Sequence, residues 1–317
     1  MSRILVTGAA GNLGSMLARH LLPTGHRLRP MTHRKPLPDD LAQAENVEVV
    51  TADLGRPETL AGICESVDCV VHFAGVLFKP WPERFLWRTN LEYFRNLLDA
   101  ALAARVGKVI LISFPQVEGE TTPEHPATGR LDGTPASVHA QSRLAEERLL
   151  LERCEGTATT PVILRTGMMY GPGILMIEAG RWLLRRRLLP VWPGPTGVHL
   201  IATPDMLAAM QAAIEKPATR GIYHLGDDRP TTLQAFLDRL ADKYGAPRPW
   251  RLPLGLFRLA AFGVEVFATV FRTPGPLHRD FIRIGAASYC GDTTRMKQDL
   301  LPQLQYPTLA EGLGQFD

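Results

Sequence analysis

One junction restricts this chain more than any other. Thr7-Gly8-Ala9-Ala10-Gly11-Asn12-Leu13-Gly14 follows directly on the short apolar run Arg3-Ile4-Leu5-Val6-Thr7 and opens the helical pattern Leu13–Leu22. A strand that turns sharply into a helix needs glycine where the backbone bends tightly or approaches another group closely. The same turn aims backbone N–H groups and the positive end of the helix at one point, which suits a pyrophosphate. A GxxGxxG spacing is a weak signal by itself, and its place between a strand and a helix strengthens it.

The first half of the chain repeats that alternation. Further strands are expected at Arg27–Met31, Val47–Thr51, Cys69–Phe73, Lys108–Ser113 and Pro161–Thr166, with helices at Pro57–Cys64, Arg84–Ala104 and Val138–Arg153. In the second of these helices Leu91, Phe94, Leu97, Leu98 and Ala101 recur at helical spacing. The pattern predicts an α/β fold, a Rossmann-type doubly wound parallel sheet covered on both faces. After Gly171 the texture changes to proline and glycine punctuation, as in Trp192-Pro193-Gly194-Pro195-Thr196-Gly197, with shorter helices expected at Pro204–Ile214, Thr232–Tyr244 and Leu254–Phe271. Residues 1–170 are therefore expected to form the dinucleotide-binding domain. Residues 171–317 are expected to form mainly a small substrate-binding cap, with some segments returning to the sheet, at the strands' carboxyl edge where open α/β sheets bind ligands.

Composition removes several alternatives. At 317 residues, 45% hydrophobic and 21% charged, the chain can bury a real core. Thirty-five basic against 32 acidic side chains give a net charge of +3, too balanced to argue for nucleic acid as the main partner. The basic run Arg185-Arg186-Arg187, with Arg181, sits among Trp182, Leu183, Leu184, Leu188 and Leu189 and reads as the solvated face of an amphipathic helix. Cys64, Cys69, Cys154 and Cys290 form no CxxC pair, so free thiols and no metal are expected. The first residues run straight into the glycine cluster without a signal-peptide pattern, and a cytoplasmic location is expected. Leu252 to Phe271 is apolar, but Arg258 and Glu265 interrupt it; a partly buried helix near a pocket is expected there, not a membrane span.

Further motifs stand in order along the chain: Asp53-Leu54, Asp68-Cys69-Val70-Val71-His72-Phe73-Ala74-Gly75, Thr89-Asn90-Leu91 ahead of Asn96-Leu97-Leu98, and Leu164-Arg165-Thr166-Gly167-Met168-Met169-Tyr170-Gly171-Pro172-Gly173. Tyr223-His224-Leu225-Gly226 and Thr231-Thr232-Leu233 complete the series. On these segments, which span most of the chain, the sequence resembles the extended and atypical short-chain dehydrogenase/reductase superfamily, of the NAD-dependent epimerase/dehydratase-like kind. The resemblance implies Gly8, Gly11 and Gly14 with the backbone of Asn12 and Leu13 at the pyrophosphate, and Asp53 and Leu54 at the adenine. It further implies Phe73, Ala74 and Gly75 at the nearby ribose, Arg143 at the nicotinamide ribose, and Thr166, Gly167 and Met168 at the carboxamide.

Charge at the end of the second strand selects the nucleotide. An enzyme for NAD usually places an acid there for the ribose hydroxyls, whereas a 2′-phosphate needs cations. This chain reads Met31-Thr32-His33-Arg34-Lys35. With no acid, and with Arg34 and His33 offered as donors, NADP(H) is the expected cofactor. The bland alternative is an exposed basic turn that touches nothing.

The catalytic positions depart from the resembled family, in which a Tyr donates the proton, a Lys four residues later lowers its pKa, and a Ser or Thr orients the substrate. His139 stands at the Tyr position and Arg143 at the Lys position. Phe114 stands where the orienting hydroxyl belongs, with Ser113 beside it as the candidate if the register is one residue off. Arg143 keeps its charge and disfavours imidazolium at a nearby His139, which impairs the usual acid step; an unperturbed imidazole value of about 6.5 leaves His139 as a general acid open beside a packing or positioning role, and His139, Arg143 and Ser113 are the catalytic candidates. Three readings remain open. One is an atypical NADPH-dependent ketoreductase of an aromatic or polycyclic carbonyl or quinone-like compound, with Trp81, Trp87, Trp182 and Trp192 available to wall an apolar pocket. Another is a catalytically silent NADP(H)-binding sensor or scaffold, and the last an epimerase, isomerase or lyase using Arg181 to Arg187 for a diphosphate.

Overall fold

The computed structural model describes residues 1–76, 79–273, 275 and 277–316. Its strands are β1 (Arg3–Thr7), β2 (Arg27–Thr32), β3 (Val50–Thr51), β4 (Cys69–His72), β5 (Lys108–Ser113), β6 (Thr160–Thr166) and β7 (Gly221–Leu225). They form a parallel seven-stranded sheet in the order β7-β6-β5-β4-β1-β2-β3. The principal helices are α1 (Asn12–Leu21), α2 (Tyr93–Ala103), α3 (Val138–Cys154), α4 (Leu175–Arg185), α5 (Thr203–Glu215), α6 (Leu233–Lys243), α7 (Leu254–Phe271) and α8 (Arg279–Ala286).

Successive residues of a strand point to opposite faces, so each strand feeds two cores. Ile4, Val6, Cys69, Val71 and Ile110 pack with Leu17 and Leu21 of α1 and Met206 and Met210 of α5. Leu5, Val70, Val109 and Leu111 pack on the other side with Phe94 and Leu97 of α2 and Leu150 of α3. Cover on both faces explains why the strands read as nearly unbroken apolar runs.

Several elements are shorter or more broken than their sequence pattern predicts. Pro57–Cys64 yields only a 3-10 turn at Pro57–Leu60, and Gly62 then adopts a φ of +77°. The strand expected at Val47–Thr51 is confined to Val50–Thr51, with Val47 making a single bridge to Leu28. Arg84–Ala104 is three pieces: a 3-10 turn at Pro82–Arg84, a π-helical segment at Trp87–Glu92, and α2. The wider π turn places Asn90 inside, where its amide donates to Ser142 Oγ of α3 at 3.0 Å.

The second half of the chain supplies β7, so residues 171–317 complete the sheet. Asn12, at the start of α1, donates to Gly173 O at 2.8 Å and accepts from Leu175 N at 3.1 Å, tying the glycine turn to the cap. Asp280 of α8 accepts from Ser137 Oγ, Val138 N and His139 N at 2.9, 3.0 and 3.2 Å, which satisfies the first amides of α3. The expected partial burial of Leu254–Phe271 is confined to one edge: Ala261, Glu265 and Ala268 are buried, and most of the large apolar side chains of α7 are exposed.

Candidate functional site

β1 and β4 lie side by side while the chain passes from them to opposite halves of the sheet. The crevice at their carboxyl ends is the topological switch point where ligands bind in open α/β sheets. Here it is a groove of about 550 Å³. Gly8, Ala10 and Gly11 form one wall, Met31 to Lys35 with Asp53 and Leu54 another, and Phe73 to Val76 with Lys79, Arg88, Thr89 and Tyr93 the third.

The glycine turn is built for close approach. Gly8 has a φ of +70°, and a Cβ on it would meet Ala74 N at 2.9 Å. Gly11 N donates back to Gly8 O at 2.8 Å, and a Cβ on Gly14 would strike that same carbonyl. Any side chain at these positions would disrupt the turn or fill the cradle, so the geometry fits a dinucleotide pyrophosphate. Gly14 acts from behind, by letting α1 pack on the turn; Asn12 and Leu13 lie outside the groove lining.

The groove is cationic. Arg34, Lys35, Lys79 and Arg88 line it, against the single carboxylate of Asp53. His33 Nε2 lies 3.3 Å from Asp53 Oδ2, and Asp53 Oδ1 accepts from Gly55 N at 2.9 Å. His33 thus leans on Asp53, and Arg34 is exposed with no ion-pair partner among the described residues. The acid that would meet ribose hydroxyls is replaced by Thr32, buried against Val50 O at 3.3 Å. Lys35, Lys79, Arg88 and Tyr93 were not singled out by sequence reasoning. Lys35 adjoins Arg34, but only the fold brings Lys79 and Arg88 to the same groove.

The residues aligned with the usual catalytic set divide. Ser113 does not turn to the groove: it is buried and its hydroxyl donates to Glu147. Glu147 also takes the guanidinium of the fully buried Arg165, which in addition meets Glu118. Ser113 therefore belongs to a charged cluster joining β5, β6 and α3, and half-buried Phe114 occupies the next position. Arg143 lies against Gly75, within 3.3 Å of where a Cβ on that glycine would stand, and so adjoins the Phe73 to Val76 wall of the groove. Its Nη1 is 2.8 Å from Oε2 of Glu146, which is completely buried. Burial pushes the Glu146 carboxyl up to about 7 against the pull of Arg143.

Burial first, and the charge of Arg143 second, hold His139 down at about 4. The same two causes in the same order hold His72 at about 3, with its Nδ1 2.8 Å from Thr7 Oγ1. At neutral pH both rings are therefore uncharged. His139 is 3% exposed, and its Nδ1 has no hydrogen-bond partner among the described residues.

Thr166 ends β6 and Gly167 and Met168 follow it, all three outside the groove lining. Gly167 N donates to Leu225 O and Met168 N to His199 O, both at 2.7 Å, so those two amides are already engaged in the backbone framework. Thr166 Oγ1 donates to Ser113 O at 3.3 Å. The four tryptophans do not converge on one pocket: Trp87 and Trp182 are exposed, Trp192 is buried against Phe257, and Trp81 donates to Thr269 at 2.7 Å. The arginine run is spread likewise. Arg181 stacks on Tyr244 and Arg186 on Trp182, while Arg187 lies past the helix end with a φ of +58°. All four cysteines are buried and free.

The profile of the NAD dependent epimerase/dehydratase family matches residues 4–226. The chain is 30% identical over 273 residues to a 3-diazoavenalumate denitrifying reductase of a Streptomyces species, covering 80% of this chain and 85% of that one. It is 28% identical over 275 residues to a ceramide reductase of Caulobacter vibrioides, covering 86% and 80%. The crystal structure of gox2253 superposes with a TM-score of 0.72 at 25% identity, over 95% of this chain and 92% of that one. MoeE5 in complex with UDP-glucuronic acid and NAD superposes with a TM-score of 0.77 at 20% identity, over 99% and 97%, a likeness of fold.

Proposed function

The chain belongs to the NAD dependent epimerase/dehydratase family, and on that basis we propose that it is an NADPH-dependent reductase of an apolar or aromatic carbonyl or quinone-like compound. Relatives named as reductases support the oxidoreductase class. The observation that carries the cofactor choice is the groove's charge: four cations, no acid at the end of β2, and an Arg34 free to meet a 2′-phosphate.

NADPH supplies the hydride. Gly8 and Gly11 leave room for the pyrophosphate, Arg34 pairs with the 2′-phosphate, and Arg143, steadied by Glu146, offers N–H donors on the ribose side. A carbonyl that received this hydride at carbon would need one proton on its oxygen to balance the product. A His139 held near 4 carries no spare proton at neutral pH. We assign that proton to a phenol on the substrate or to water, which favours compounds that stabilise their own developing oxyanion. The same neutral imidazole is a poor base at neutral pH, which weighs against an epimerase that must first oxidise a sugar hydroxyl.

Mixing the purified protein with NADPH and a panel of quinones, phenol-flanked aromatic ketones and simple aldehydes tests this reading. Nucleotide oxidation is expected with the first two classes and not with the aldehydes. Tight NADPH binding without turnover on any of them would establish the second reading, a silent redox-reporting protein. That reading is favoured by the engagement of Ser113 with Glu147 and the depressed His139.

A further inference from the structure

The largest surface feature outside the groove is α7. Over its 18 residues the mean hydropathy is 1.7, yet only Ala261, Glu265 and Ala268 are buried. Leu256, Leu259, Phe262, Val266, Phe267, Val270 and Phe271 are between 41% and 67% exposed and recur at three- and four-residue spacing, so they line one side of the helix. The opposite edge is fastened to the protein by a Trp81–Thr269 hydrogen bond, a Trp192–Phe257 ring contact at 5.4 Å, and an Arg279–Glu265 ion pair at 2.6 Å.

The exposed charges of the helix and of the residue that ends it have one sign. Arg258 and Arg272 are exposed, with no ion-pair partner among the described residues. The helix's one acid, Glu265, is 2% exposed and already neutralised by Arg279. Trp250, shortly before the helix, and Leu188 are 62% and 58% exposed, on two segments joined by the Trp250 N to Leu189 O bond at 3.1 Å. Exposed Arg185, Arg186 and Arg187 directly precede Leu188.

We propose that the exposed face of α7, with Trp250 and Leu188, docks the protein on an anionic phospholipid surface, the helix lying among the headgroups. An apolar stripe flanked by arginine and tryptophan, on a helix that exposes no carboxylate of its own, is complementary to a layer of acyl chains beneath negative headgroups. A membrane span would tear the helix from Trp81, Trp192 and Arg279 and carry Arg258 and Glu265 into hydrocarbon. A second copy of the chain is the poorer fit, because a two-fold contact would bring two sets of the same uncompensated arginines to one seam.

The test is co-sedimentation of the full-length protein with vesicles of pure phosphatidylcholine and of phosphatidylcholine mixed with phosphatidylglycerol, at low and high salt. Binding is expected on the phosphatidylglycerol vesicles and is expected to weaken with salt. Arg258→Gln and Arg272→Gln should each weaken it about fivefold. Leu259→Asp with Val270→Asp should abolish it while circular dichroism and nicotinamide-nucleotide binding stay intact, which shows that the variant folds. Failure of the protein to bind either vesicle would overturn the proposal. So would equal binding to both, or a solution dimer that the Leu259→Asp, Val270→Asp variant dissolves.

Discussion

Arg34 and Asp53 face one groove with opposite charges, and Asp53 is already held by His33. Replacing Arg34 by Glu should therefore weaken NADPH by about 30-fold, the worth of a charge-assisted hydrogen bond, and leave NADH nearly unchanged; nucleotide fluorescence titration measures both. Equal affinities for the two nucleotides before mutation would refute the cofactor choice. His139 gives a pH prediction. An unfolded His139 takes a proton near 6.5, whereas the folded one refuses it until about 4. The fold should thus lose about 3 kcal/mol from this residue as pH falls through that window. His139→Phe lacks this loss, so urea unfolding at pH 6.5 and pH 4.5 should show a smaller drop for the variant than for the parent. The glycines, Arg34 and the absence of an acid after β2 are legible in the sequence because each is a local event of two or three residues. Glu146 and Glu147 are not legible as buried groups: carboxylates in a helical pattern ordinarily mark a solvated face, and although Arg143 and Glu146 stand at local i,i+3 spacing, nothing local shows that the pair is buried or that Arg165 lies across from Glu147.

Those buried carboxylates make α3 the least readable element. It buries His139, Ser142, Arg143, Glu146 and Glu147 along with its apolar residues. The sequence pattern therefore locates the helix, at Val138–Arg153 against the observed Val138–Cys154, but does not show that these polar residues face in. The strands are simpler: β1 and β5 match their predicted bounds because unbroken apolar runs between turns have few alternatives. The segment before α2 resists such reading, because a π turn adds a residue to the helical repeat and shifts its inward face. Arg165 is where the cluster is most exposed to test. Arg165→Met leaves Glu147 and Glu118 buried without their cation and should cost about 3–5 kcal/mol, read as a fall in the urea midpoint.

Across the whole molecule, the glycine turn and the cap are coupled by one side chain. Asn12→Ala removes both the Gly173 and Leu175 hydrogen bonds. It should raise amide exchange over residues 171–178 and weaken the nucleotide by about fivefold, since two ordinary hydrogen bonds together are worth about 1–2 kcal/mol. Protection of that segment equal to the parent's would break the link. Strand β7 and Asp280 both come from the part after residue 170, so that part contributes to the sheet and to the start of α3. Asp280 also dictates an order of events at the ribosome. Helix α3 leaves the exit tunnel long before the carboxylate that closes its first turn has been joined to the chain. The newborn helix keeps its leading amides in water until about 140 further residues have been added, so its first turn is among the last parts of the nascent protein to close.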